Sequence, residues 1–373
     1  MRLLPTSSTR IRRTAVFVVG FAPLAFSFPT FGREDAIGEV RLDKAAFNPS
    51  AGQAVELGYR LAGTERISIH IYDPDDGWVR TLVDAEERPA GDHAETWDGR
   101  DVDGRIVPDE AYYFVIETAT GEVWDPKTFS GGEVGHVKEI DLDRDGGTLG
   151  YRLPTSARVL CRLGIHNGPM LRTLVDWKPR VAGVITEYWQ GWDEDGVVEF
   201  ANHPKFSMLV TWVALPDASV IAFGNRETTY REVKLEIVKD RPKKPERPRV
   251  LSDEIRLHPT GLVPPAWARA PEVTLTFVEA DDSPGVPEVG DRVRVRVEAD
   301  TIDHKQLEND PYEILFFVDN IFFAEAERGY SPLNWIWETH QLPPGEHILT
   351  VNLSSTNGQV GVASRKVRVR PRE

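Results

Sequence analysis

Hydrophobic and polar residues alternate with a period of two through much of the chain. Val55, Leu57 and Tyr59 are separated by Glu56 and Gly58, and Ile67, Ile69 and Ile71 by Ser68 and His70. Successive side chains of a strand point to opposite faces, so each run predicts a strand with one buried face. Turn chemistry interrupts the runs at Asp73-Pro-Asp-Asp-Gly77, Pro89-Ala-Gly91 and Asp98-Gly-Arg-Asp-Val-Asp-Gly104. No long segment carries a helical stripe. Short strands at turn-spaced intervals predict an all-β fold of sandwiches.

The pattern is duplicated. Leu57-Gly-Tyr-Arg-Leu61 recurs as Leu149-Gly-Tyr-Arg-Leu153, and Arg80-Thr-Leu-Val-Asp84 as Arg172-Thr-Leu-Val-Asp176. In the same register Ala90-Gly91 meets Ala182-Gly183, Trp97 meets Trp189, Gly99 meets Gly191, Asp101 meets Asp193, and Asp103-Gly104 meets Asp195-Gly196. A shared register without a gap implies duplication of one unit of about 90 residues, the size of a small sandwich.

The first copy resembles the Ig-like domain of the flagellar hook-capping protein, a FlgD-like Ig domain that recurs in secreted bacterial proteins. The resemblance rests on Phe47-Asn-Pro through Tyr59-Arg-Leu61, Ile69-His-Ile-Tyr72, Val79-Arg-Thr-Leu82, Ala90-Gly91, Trp97-Asp-Gly-Arg-Asp101 and Tyr112-Tyr-Phe-Val115. It implies an immunoglobulin-like sandwich acting as a spacer or assembly module. The second copy departs from the pattern at Trp189-Gln-Gly191, and at Pro204-Lys-Phe206 where Tyr-Tyr-Phe would stand.

After the second copy, Lys239-Asp-Arg-Pro-Lys-Lys-Pro-Glu-Arg-Pro248 reads as a stiff, proline-interrupted linker. Beyond it Val293, Val295 and Val297 alternate with Arg292, Arg294 and Arg296. Ile314-Leu-Phe-Phe-Val-Asp-Asn320, Trp335-Ile-Trp337 and Pro343-Pro-Gly-Glu-His-Ile-Leu-Thr-Val351 resemble elements of bacterial Ig-like and fibronectin-like domains. The expected organisation is therefore three tandem immunoglobulin-like β-sandwiches after a signal peptide. Its boundaries are a leader over 1–32, Ig-like domain 1 over 37–125, its duplicate over 134–236, a linker over 237–271, and a third domain over 272–373.

The leader is read from Arg10-Ile-Arg-Arg13, the apolar stretch Thr14 to Ser27, and Ala25-Phe26-Ser27 as a cleavage site. An apolar stretch of about 14 residues is short for a bilayer span. Periplasmic or extracellular location is the expectation, without membrane embedding. The net charge of −15 includes the leader's four arginines (Arg2, Arg10, Arg12, Arg13), so the mature chain is more acidic still. Such a chain is a poor partner for nucleic acid. The single cysteine, Cys161, excludes an intramolecular disulfide and every paired-cysteine metal motif.

Asp141-Leu-Asp-Arg-Asp-Gly146 has the spacing of a calcium loop, so Asp141, Asp143 and Asp145 are the candidate metal ligands and calcium the candidate ion. Against this, Arg152 occupies the twelfth position, where a bidentate acid belongs, and the loop coincides with an ordinary connection, Pro49 to Ala54, in the first copy. Asp98, Asp101 and Asp103 read as hairpin chemistry. No catalytic set is recognisable: there is no Gly-x-Ser-x-Gly elbow and no His-x-x-x-His pair, and Cys161 falls at the core-facing position of Ile69. Of ten tryptophans, Trp97, Trp189, Trp335 and Trp337 read as core anchors, whereas Trp78, Trp177 and Trp192 lie near turns and are candidates for stacking on a ligand. The expected function is a non-enzymatic interaction or assembly module contacting another envelope or extracellular protein; assembly by an edge strand is a further reading, and the apolar run Ile314 to Val318 with Ile321-Phe-Phe323 reads as core or contact surface. A carbohydrate-binding protein of the cell surface is the alternative.

Overall fold

The computed structural model describes residues 35–235, 268–280, 285–300, 307 and 311–371. The expected leader, 1–32, and the expected linker up to residue 267 lie outside them. The described residues from 36 onward cluster as one compact unit. Among the described residues the strands form six sheets, and the three largest hydrophobic clusters are separate cores.

The first core lies among β1 (Ile37–Leu42), β2 (Ala46–Phe47), β3 (Val55–Leu61), β4 (Glu65–Tyr72), β5 (Trp78–Arg88), β6 (Gly91–Trp97), β7 (Glu110–Thr118) and β8 (Val123–Trp124). The alternation acts as expected. Val55, Leu57, Tyr59 and Leu61 face the core from β3, while Glu56 and Arg60 face solvent. Trp97 is fully buried against Phe47, Tyr112 and Phe114, with ring centroids 5.3 to 6.1 Å away. Its indole Nε1 donates to the Arg100 carbonyl at 2.9 Å, so the large apolar ring is buried without an unmet donor.

The second core repeats this plan in β9 (Val134–His136), β10 (Ile140–Asp143), β11 (Thr148–Leu153), β12 (Ala157–Ile165), β13 (Met170–Arg180), β14 (Gly183–Tyr188) and β15 (Phe206–Ala214). Trp189 is buried on Phe200 and Phe206 and donates to the Trp192 carbonyl at 2.8 Å, the counterpart of the Trp97 bond. Asp101 accepts from the backbone N–H groups of Asp103 and Arg105, and Asp193 from those of Val197 and Val198. Both carboxylates tie off a turn, the hairpin role expected for Asp101.

The chain then returns to the first sandwich. β16 (Ser219–Ala222) falls within the stretch that the repeat register assigns to the second copy, yet it hydrogen-bonds to β7 and β2. Val220 and Ala222 complete the first core, and Ile221 packs on Ala111 and Leu215. Asn225 then donates its side-chain amide to the Ile106 carbonyl at 3.0 Å, and its backbone N–H to Asp109 at 2.7 Å. Gly224 passes Asn48 at φ +97°, where a Cβ would lie 2.4 Å from Asn48 Oδ1. A short helix, α1 (Tyr230–Leu235), follows, and its Lys234 pairs with Asp73 at 2.5 Å. The first core thus lies between the sheets β1-β3-β6 and β2-β16-β7-β4-β5, with β8 beside β7. The second lies between β10-β11-β14 and β13-β12-β15-β9.

The third sandwich comprises β17 (Val273–Val278), β18 (Glu288–Val289), β19 (Val293–Ala299), β20 (Tyr312–Val318), β21 (Ile321–Ala326), β22 (Leu333–Trp337), β23 (Gly345–Ser355) and β24 (Val360–Val369). Sheets β17-β19-β22 and β18-β24-β23-β20-β21 enclose a core around Phe277, Phe316 and Trp337.

Polar contacts join the second sandwich to its neighbours. Arg158 of β12 reaches Glu110 of β7 at 2.5 Å, with the Glu110 side chain only 1% exposed. Burial pushes the Glu110 carboxyl upward, and Arg158 opposes that shift. On the other side Asn352 both accepts from the Met170 N–H at 2.9 Å and donates to its carbonyl at 2.8 Å. Asp195 accepts from the Ser364 N–H at 2.6 Å, and Asp176 from the Ala270 N–H at 2.5 Å. Burial raises the pKa of both acids.

Candidate functional site

The acidic run at Asp141 forms a hairpin turn. Residues 144–147 turn the hairpin between β10 and β11, and Asp143 Oδ1 accepts from the Gly146 N–H at 2.8 Å. Among the described residues, no group of three or more His, Cys, Asp or Glu side chains converges as a metal ion requires, so Asp141, Asp143 and Asp145 are not brought together. The strand pairing explains this: Asp141 and Asp143 lie two residues apart on one face of a strand, and the chain beyond the turn leads back along β11 instead of wrapping an ion.

The three candidate stacking tryptophans are also separated. Trp78 is half-buried at the start of β5 and donates to Thr81 Oγ1 at 3.3 Å. Trp177, expected near a turn and open to ligand, is only 6% exposed, packed with Leu160 and Val213 on the outer face of the four-stranded sheet. Its backbone is left-handed at φ +48°, as is that of the equivalent Ala85 at φ +50°, and the strand pairing is irregular there in both copies. Trp192 is 42% exposed, and its carbonyl receives the Trp189 indole. Cys161 is buried, and burial pushes its thiol up to about 12, which leaves it an unreactive core residue.

A pocket of about 630 Å³ lies between the first sandwich and α1, lined by Trp78, Val79, Ile106, Val107, Tyr112 and Tyr230 among others. Its acids are already engaged. Asp73 accepts from the N–H groups of Asp75 and Gly77 and pairs with Lys234, while Asp101 is tied to its own turn and to Arg105. The pocket therefore offers apolar volume closed by committed polar groups.

Two surfaces carry the most exposed apolar side chains among the described residues, Ile321 and Tyr188. On β21, the last strand of its sheet, Ile321 is 71% exposed, and Phe322 and Phe323 are open beside it. Phe322 meets Phe317 edge-on at 6.0 Å, and Phe323 lies 6.0 Å from Trp335 across the open side of the sandwich. In the adjoining run, Ile314, Phe316 and Val318 point into the core. The run expected to be core or contact is thus divided: β20 is core and β21 is surface.

The second surface is the outer face of sheet β10-β11-β14, a groove of about 680 Å³ lined by Lys138, Asp141, Gly150, Arg152, Val184 and Thr186 among others. Tyr188, 81% exposed, pairs with Thr148 on the same face. Sequence reasoning missed this face. The signal was present in the repeat: outward positions Asp92, Ala94 and Thr96 of β6 become Val184, Thr186 and Tyr188 of β14.

The fold is that of an immunoglobulin-like β-sandwich protein. Residues 45–122 match the family model of the FlgD Ig-like domain, a match that falls within the first sandwich. It ends before β16, the strand that completes this sandwich's core. No curated protein matches the chain. Among solved structures, the fibronectin(III)-like modules of Clostridium thermocellum CbhA align over 89% of this chain and 94% of theirs, at 9% identity and a TM-score of 0.21. FlgD from P. aeruginosa aligns over 31% of this chain and 84% of its own, at 18% identity and a TM-score of 0.20. A bacterial ice-binding adhesin aligns over 90% and 98%, at 12% identity and a TM-score of 0.20. At these scores the structural likenesses carry no argument. No helix among the described residues is long and apolar enough to cross a membrane.

Proposed function

We propose that the chain is an exported, non-enzymatic module of three Ig-like units that makes protein contacts in an envelope or extracellular assembly. The observation that carries this reading is β21: an edge strand that pairs only with β20 among the described residues and presents Ile321, Phe322 and Phe323 in succession to solvent. An open edge offers backbone donors and acceptors to another chain, and soluble proteins blunt such edges unless they use them. The FlgD Ig-like match supports the same class of role. The leader read from the sequence supports export.

The test is affinity capture of a partner from the native host by the mature chain and by an Ile321→Lys/Phe323→Glu variant. The reading predicts that one protein is captured in stoichiometric amount and that the variant loses it while unfolding at the same urea concentration. Equal capture by the variant, or capture of polysaccharide alone, contradicts it.

A further inference from the structure

The two copies of the duplicated unit treat one surface position differently. In the first, the outward glycine of β3, Gly58, is paired across the sheet with Arg41. The arginine stem lies over it: Cγ and Nε are 3.3 Å from where a Gly58 Cβ would stand. In the next row Arg60 pairs with Asp92 at 3.5 Å. The first copy therefore covers its glycine and offers its arginine a carboxylate from within.

In the second copy the corresponding glycine, Gly150, is paired with Asp141 on one side and Thr186 on the other. The short Asp141 side chain leaves the glycine uncovered; the nearest atom to a built Cβ is Asp141 Cβ, at 3.6 Å. Arg152, the counterpart of Arg60, faces Val184 where the first copy has Asp92. No described residue forms a hydrogen bond or ion pair with the side chain of Asp141 or Arg152. The face thus lacks one cation over the glycine and one anion beside the arginine, the two groups that the first copy supplies itself.

We propose that this face of the second sandwich receives an extended protein segment carrying an arginine and a carboxylate on neighbouring outward positions. The arginine lies over Gly150 with its guanidinium toward Asp141, as Arg41 lies over Gly58, and the carboxylate meets Arg152 as Asp92 meets Arg60. Planar guanidinium suits both requirements, since its stem packs on a flat glycine floor while its head forms charge-assisted hydrogen bonds. Val184 and Tyr188 supply apolar area at the rim. This rests on the reading of the chain as a protein-contact module and names the chemistry of one contact.

The test is a chemical-shift titration of the full, isotope-labelled chain with the blocked peptide Gly-Arg-Ser-Glu-Gly. The expected result is saturable shifts at the amides of Gly150, Arg152 and Thr186. They should be absent with the peptide in which alanine replaces arginine, and at least about tenfold weaker in affinity for an Asp141→Arg/Val184→Asp chain, which rebuilds the first copy's filling. No saturable shift in the unaltered chain, or equal binding by the double variant, overturns the proposal. The Ile321→Lys/Phe323→Glu chain should bind the peptide unchanged. Failure here with partner capture still lost in that edge variant sinks this inference and leaves the module reading standing; peptide binding without any captured protein does the reverse.

Discussion

The first and second sandwiches share one sequence register, yet they fill the same place in the fold from opposite directions of the chain. Beside β15 of the second sandwich lies β9, which precedes the unit's other strands. Beside β7 of the first lies β16, which arrives after the whole second sandwich has been made. The second sandwich is therefore built from one continuous stretch, whereas the first is closed only by the chain's return. The difference shows that a duplicated sequence fixes the interior of a unit more firmly than the strand that closes it.

A charge at Val220 should break this comparison most strongly. Val220→Asp places an unpaired carboxylate in the first core, where burying a charge without a partner costs several kcal/mol. We expect a loss of about 4 kcal/mol in urea unfolding, with hydrogen exchange rising in β2 and β7 before β12 and β15. Exchange rising first in the second sandwich would show that β16 closes the wrong one.

The contact between the two sandwiches gives the next effect. Arg158→Ala leaves Glu110 buried and unpaired and should cost about 3 kcal/mol, whereas a Glu110→Leu/Arg158→Met chain should unfold within about 1 kcal/mol of the original. Because burial raises the Glu110 pKa, the charged form is the disfavoured one once Arg158 is gone. In Arg158→Ala the Glu110 contribution is full below the ordinary carboxylate range and is lost as pH rises through the raised value. Unfolding midpoints of the single variant measured from pH 4 to 8, about the range in which such acids titrate, should fall as pH rises.

The two outward glycines sharpen the comparison on a finer scale. Replacing a glycine that tolerates a side chain restricts the unfolded chain and stabilises by about 0.5 kcal/mol. Gly150→Ala should show that gain, since its Cβ meets only ordinary contacts. Gly58→Ala must displace Arg41 and should show none. Equal gains in chemical denaturation would mean that Arg41 does not hold its place over Gly58.

The third sandwich supplies the smallest effect. Burial opposes a charged His347, but its Nδ1 lies 2.6 Å from Asp319 and its Nε2 2.9 Å from the Pro343 carbonyl, and these acceptors raise its pKa. A raised folded value means stability that is complete below the ordinary histidine range and lost as pH rises through that value. His347→Gln should remove about 1 kcal/mol at pH 5.5, an estimate discounted because Asp319 is half exposed, and less at pH 8.5. A thermal melt at the two pH values checks the sign.

Much of the interior was legible in the sequence. Period-two alternation located β3 and β4, and the shared register of Trp97 with Trp189 and Asp101 with Asp193 located two anchors and two turns. What was not legible depended on which strand lies beside which. The alternation of Val220 and Ala222 announces a strand with one buried face, but nothing local says whose core it enters. Trp177 was misread because its exposure depends on Leu160 and Val213, distant in sequence and packed on the sheet's outer face. The groove over Gly150 was hidden because Arg41 and Asp141 occupy different positions in the repeat and become comparable only through their pairing with the two glycines.

The most direct test of the chain as a protein-contact module is hydrogen exchange of the full chain alone and with its captured partner. The account predicts new protection on β21, with a second protected stretch on β14 where the partner carries the arginine and carboxylate described above. Protection confined to the pocket beside α1, or no protection on β21, would contradict it.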